Sequence, residues 1–172
     1  MTTAFETERL VMRDGEDSDA PRMLDMYSRP DVVRFLGSVP TPMTSLDEAL
    51  ARIARARARN PEHPPYGFWA VQVRATGVVA GTVALVPVAD ADGEVEVAWH
   101  LHPDCQGNGY ATEAAAAAFA RAHEAGLTEV LALTDEANAP SQAVCRRLGL
   151  ELVGTSDRYY GKPLMVWVSR PA

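Results

Sequence analysis

The chain has 172 residues, 47% of them apolar, enough to bury one sizeable core without any need for a second domain. Its 16 Lys and Arg stand against 23 Asp and Glu, a formal charge of −7 that disfavours nucleic acid and anionic membranes as partners and mildly favours amines. The amino terminus, "MTTAFETERLVMRDGEDSD", lacks the basic start and apolar stretch of a secretory signal, and the most apolar segment, "GVVAGTVALVPVA", is too short to span a bilayer, so a cytoplasmic protein is expected. Cys105 and Cys145 lie far apart and outside any C-x-x-C pair, so neither a zinc site nor a disulfide framework is expected.

In chain order, "ERLVMRD" alternates as a half-buried strand does, and "DSDAPRMLDMYSRPDVVRFLG" opens with capping side chains and a proline, the pattern of a broken helix. In "TSLDEALARIARARARN", Ser45 and Glu48 have capping-box spacing, while Leu46, Leu50 and Ile53 keep a helical stripe and leave the arginines to water. "YGFWAVQVR", "GVVAGTVALVPV" and "GEVEVAWHLHP" are β-rich runs joined by hairpin-length connections. A helix over 109–124, a strand "EVLALT", a helix opened by "NAPS" and closed by Gly149, and two strand-like runs, "LELVGTSDRYY" and "PLMVWVS", complete the chain. The order predicts a single α/β (α+β) domain over 1–172. Its sheet has about seven strands, mostly antiparallel, with helices on both faces. The one strand-helix-strand crossover sets "EVLALT" parallel to "EVEVAWHL".

Ligands of open α/β sheets bind off the carboxyl ends of such strands, and "CQGNGYATEA" lies at that place. Gly107 and Gly109 allow close approach to the main chain, and the first amides of the following helix have no internal partner. Free N–H groups at the positive end of a helix dipole suit a pyrophosphate and need no basic side chain. A plain strand-to-helix turn is the competing reading. Neither a Walker loop nor the G-x-G-x-x-G fingerprint is present.

Along "EVEVAWHLH", a period of two places Glu94, Glu96, Ala98, His100 and His102 on one face and Val95, Val97, Trp99 and Leu101 on the other. A row of ionisable side chains on a central strand predicts a face open to a cleft. His100 and His102 form H-x-H, but no third ligand with metal-site spacing accompanies them, and no metal is expected.

"QGNGYA" fits the Q/R-x-x-G-x-G/A motif, and on it the chain resembles the GNAT superfamily of N-acetyltransferases. "EVAWHLHPDCQGNGYATEA", "TERLVMR" and "RPDVVRFLG" resemble the RimJ/RimL-type branch, as does "DEANAPSQAVCRRLGLELVG", where Leu150 replaces a phenylalanine. The resemblance implies a GNAT domain whose parallel strand pair splays around an acyl-coenzyme A site. It further implies acetyl transfer from acetyl-coenzyme A, as cosubstrate, to a primary amine by direct attack in a ternary complex. Gln106, Gly107, Asn108, Gly109, Tyr110 and Ala111 would hold the pyrophosphate. The main chain of Leu101 and His102 would pair with the pantetheine arm, Asn138 would bond that arm, and Arg147 would reach the adenosine phosphate. Glu96 would take the amine's proton, with Glu94 in reserve, and Ser141 would return a proton to the thiolate, with Tyr159 or Tyr160 as the substitute for that role. Helix-start chemistry is the competing reading for Asn138 and Ser141. The acceptor is a protein amino terminus or a small amine, expected near Tyr27, Phe35 and Tyr160. A coenzyme-binding sensor without catalysis is the alternative function, and exposed edge strands allow a homodimer.

Overall fold

The computed structural model describes residues 3–37, 39–60, 64–89 and 91–171. Strands β1 (Thr3–Glu6) and β2 (Leu10–Arg13) form a hairpin, followed by helices α1 (Ala20–Tyr27), α2 (Pro30–Val33) and α3 (Leu46–Arg59). Next come β3 (Gly67–Val73), β4 (Val79–Pro87), β5 (Val95–Leu101), α4 (Tyr110–Glu124), β6 (Val130–Thr134), α5 (Ala139–Arg147), β7 (Glu151–Ser156) and β8 (Leu164–Ser169). One sheet of eight strands runs in the order β1-β2-β3-β4-β5-β6-β8-β7, one strand more than expected. The addition is β1, too short for its alternation to be legible, and held by pairing with β2.

Every neighbouring pair is antiparallel except β5 and β6. Those two meet at a single register position, Glu96 opposite Leu131, and separate beyond it. The separation leaves a gap toward their carboxyl ends. Strand β5 pairs with β4 without a register shift, so the alternation along β5 is regular.

One face of the sheet packs against α4 and α5. Val83, Leu85, Val95 and Val97 meet Ala114, Ala115, Ala118 and Phe119 there, the alanines letting the helix lie close. The other face carries α1 and α3 over β3 and β4, with Met23, Met26, Ala49 and Ile53 as the apolar seam. Leu46 is exposed instead of continuing that seam. The Ser45 hydroxyl caps α3 by accepting from the Glu48 N–H at 3.2 Å, while the Glu48 carboxylate reaches back to Thr44, one residue before the cap. Around β6 and β8, among the described residues, no helix packs on this second face; Tyr159 packs there against Leu131, Val166 and Val168. Among the described residues no helix is long and apolar enough to cross a membrane.

Candidate active site

A cleft of about 630 Å³ occupies the gap between β5 and β6. Trp99, His100 and Leu101 of β5 line it on one side, Leu133 and Thr134 of β6 on the other, and Asn138 and Ser141 at the start of α5 close one end. Gln106 and Ala111 flank the glycine turn, and Asp31, Arg34, Phe35 and Leu36 form the opposite wall. Part of "RPDVVRFLG" thus borders the cleft, as does Asp135, which follows β6 and carried no sequence signal.

The glycine turn is built to present amides. Gly107 and Gly109 hold φ of 79° and 78°, the left-handed region that a side chain disfavours. Among the described residues, the main-chain N–H groups of residues 107–112 find no acceptor, and no side chain caps α4. Meanwhile the loop's carbonyls are turned inward: the Asn108 amide donates to the Cys105 and Gln106 oxygens, and Arg9 donates to the Asn108 oxygen at 3.0 Å. Arg9 also pairs with Glu113 at 2.6 Å and lies 5.1 Å over the Tyr110 ring, tying the loop to the β1–β2 turn. This brace joins residues 104 positions apart and has no local signature. The result is a row of outward donors at a helix amino terminus, suited to a polyanion.

Main-chain groups of β5 divide by parity. The His102 N–H donates to the Ala80 oxygen at 2.8 Å, and Glu94 accepts from the Val88 N–H, so even-numbered residues bond to β4. The main chains of Trp99 and Leu101 then face the gap. The pairing expected of Leu101 and His102 therefore narrows to Leu101. His102 is instead structural, its Nε2 lying 2.8 Å from Asp25 of α1 and its Nδ1 2.8 Å from Asp104.

The ionisable face of β5 is open only in part: Ala98 and His100 line the cleft, while Glu94, Glu96 and His102 are covered by other side chains. The Tyr160 hydroxyl donates to Glu96, which is 6% exposed. Burial pushes the Glu96 carboxyl above its ordinary value, with the tyrosine bond pulling partly back. Tyr160 holds φ of 56°, a conformation that costs a non-glycine residue about 1–2 kcal/mol. The Tyr27 hydroxyl lies 2.8 Å from the Thr82 hydroxyl and 3.0 Å from His100 Nδ1. Burial first, and the nearby Arg52 charge second, bring the His100 pKa down to about 3, so this imidazole is neutral. Ala98, with only a methyl group, lies between Glu96 and His100 and forms part of the cleft floor, whereas Glu96 itself is one strand step outside the lining. Glu94 bonds Arg158 at 2.6 Å and Tyr159, away from the cleft.

Asn138 caps α5, its side chain accepting from the Ser141 N–H at 3.3 Å. The Ser141 side chain has no bonded partner among the described residues and borders the cleft. Arg147 is exposed in the last turn of α5, outside the lining residues. Cys105 is buried, its thiol pushed up by burial and then by Asp104, which does not suit a nucleophile. Asn138→Ala is expected to lower stability by about 1 kcal/mol through loss of the cap, read as a Tm decrease of a few degrees; an unchanged Tm would remove that role.

The family model described as "Acetyltransferase (GNAT) domain" matches residues 9–151. The chain belongs to the GNAT acetyltransferase family. It is an acyltransferase built as a single GNAT-fold domain, which sets the sensor alternative aside. The chain is similar to the uncharacterized N-acetyltransferase YoaA of Bacillus subtilis strain 168, with 25% identity over 160 residues, 92% of this chain and 89% of that protein. The acetyltransferase from Agrobacterium tumefaciens C58 superposes with a TM-score of 0.78 at 26% identity, covering 99% of this chain and 95% of that one. RimL, the ribosomal L7/L12 α-N-protein acetyltransferase solved in complex with coenzyme A, has the same fold, with a TM-score of 0.79 at 15% identity over 98% and 97% of the two chains. Among the described residues of this GNAT domain no three His, Cys, Asp or Glu side chains gather to hold a metal ion.

Proposed function

We propose that this protein is an N-acetyltransferase of the RimJ/RimL type that uses acetyl-coenzyme A to acetylate a primary amine, the α-amine of a protein amino terminus or a small molecule. The observation that carries the reading is the row of unpaired amides over residues 107–112, opening on the cleft between the splayed strands. Those donors fit a pyrophosphate, and the structure of RimL with coenzyme A supports the assignment.

Gln106 through Ala111 hold the pyrophosphate, and Arg147, exposed and without a partner among the described residues, supplies a charge to the adenosine phosphate. The free main-chain edge at Trp99 and Leu101 pairs with the amide-bearing arm as an added strand, with the Leu101 N–H holding the acyl carbonyl. Asn138 bonds the arm at the mouth of α5 while it caps the helix. The acetyl thioester supplies an electrophilic carbonyl and a thiolate leaving group. Glu96 takes the amine's proton through an intervening water across the space above Ala98, roughly one 7 Å strand repeat away. Ser141 donates a proton to the departing sulfur. Phe35, Leu36 and Asp31 border the acceptor's approach.

The test is release of free coenzyme A from acetyl-coenzyme A across peptides of different amino-terminal residue and small amines. Release that requires one acceptor class is expected. Coenzyme binding without release from any amine would contradict the assignment.

A further inference from the structure

A second cavity, of about 220 Å³, lies beneath α3 on the sheet face away from α4, and it shares no lining residue with the cleft. Phe68, Ala70 and Thr82 form its floor, Met23, Ile53 and Ala56 its walls, and Arg52, Arg55 and Arg59 its rim. The spacing of the three arginines, three and then four residues, puts them along one side of α3. Arg57, on a different side, is neutralised by Asp17 at 3.2 Å. Among the described residues Arg52 and Arg55 have no carboxylate partner, although the chain is acidic overall; Arg52 lies 4.5 Å over the Tyr27 ring.

An apolar chamber rimmed by unpaired guanidinium groups selects for a ligand with a greasy body and one negative end. Its volume exceeds the roughly 150 Å³ that accommodates a benzene ring, so a ring bearing a carboxylate fits. We propose that this cavity binds a small amphiphilic organic anion, an aromatic or branched aliphatic carboxylate, with its apolar part against Phe68 and Ala70 and its charge at Arg52 and Arg55. Occupancy is sensed across a shared wall. Thr82 on the cavity floor lies within 2.8 Å of the Tyr27 hydroxyl and 3.3 Å of His100 Nδ1, and His100 borders the cleft.

Benzoate and its neutral isostere benzamide are titrated into the full chain by calorimetry, with histidine ring resonances followed by NMR and His100 assigned through His100→Gln. Saturable benzoate binding is expected, with a shift of the His100 resonance and an affinity about tenfold above that of benzamide, the equivalent of one charge-assisted contact. Arg55→Gln, an exposed change that leaves Tyr27 untouched, lowers benzoate affinity about tenfold, and Ala56→Trp, which fills the chamber, abolishes binding while the variant still unfolds cooperatively. Equal affinity for benzoate and benzamide, benzoate binding unaltered by either substitution, or no binding of either probe at tens of millimolar would each overturn the assignment.

Discussion

Glu96→Gln is expected to lower turnover by a factor of about 10² to 10⁴ with coenzyme binding retained, the scale of loss for a general base. The magnitude follows from chemistry, since an ammonium has no lone pair with which to attack. The pH dependence follows from burial, which raises the Glu96 carboxyl above the ordinary value of 4.5. The base is active when ionised, so wild-type kcat/KM rises with pH through that elevated pKa, and the variant loses this acid limb. The stability sign runs the other way. A carboxyl whose folded pKa is raised contributes stability that is present below its unfolded pKa and is lost as pH climbs through the folded one. Replacing it with the neutral amide, which still accepts from Tyr160, therefore leaves Tm at neutral pH unchanged or higher. Turnover and Tm that fell together would mark Glu96 as structural, and unchanged turnover would exclude it as the base.

Arg13→Ala is expected to cost about 3–5 kcal/mol, because it strands a buried carboxylate. Arg13 is 2% and Asp19 7% exposed, and the guanidinium meets both carboxylate oxygens, at 2.7 and 2.9 Å. Burial works to raise the Asp19 pKa, but the Arg13 bonds and the Glu16 N–H together hold it below its ordinary value. In the native chain this contribution is present above the unfolded carboxylate pKa and fades as pH falls through the lower folded one. In the variant, burial is opposed only by the Glu16 N–H, so the deficit is greatest near neutral pH and shrinks on acidification as Asp19 protonates. Denaturant unfolding at two pH values measures both effects, and Arg13→Met with Asp19→Leu together recovers most of the loss. A single-variant cost under about 1 kcal/mol would show that the pair is relaxed by water.

What the sequence revealed and what it hid divide along contact range. The glycine turn, the cap at Asn138, the parallel crossover and the alternation of β5 are local patterns, written in a few consecutive residues, and all four occur in the structure. The expectation that the β5 polar face opens to a cleft held at Ala98 and His100, which line it, and failed at Glu94, Glu96 and His102, whose covers come from elsewhere: Asp25 from α1, and Tyr159 and Tyr160 from the loop before β8. No period or motif links Glu96 to Tyr160 or Arg9 to Glu113, so neither pair is legible without the fold. His102 illustrates the point in one residue. Its strand phase was correct, yet its main chain bonds β4 and its ring bonds α1, which removes it from the coenzyme edge. The extra strand β1 escaped for a different reason, having only four residues and a sheet-edge position.

The assignment depends most on the amides of the glycine turn, and calorimetric titration of coenzyme A into the full chain and into Gly109→Val tests it directly. A valine at a φ of 78° costs about 1–2 kcal/mol and re-aims the first amides of α4. One-to-one binding to the wild type, weakened about tenfold or more in a variant that remains folded, is the result predicted. Absence of binding to the wild type, or equal affinity for both proteins, would contradict the cradle and with it the proposed acetyl transfer.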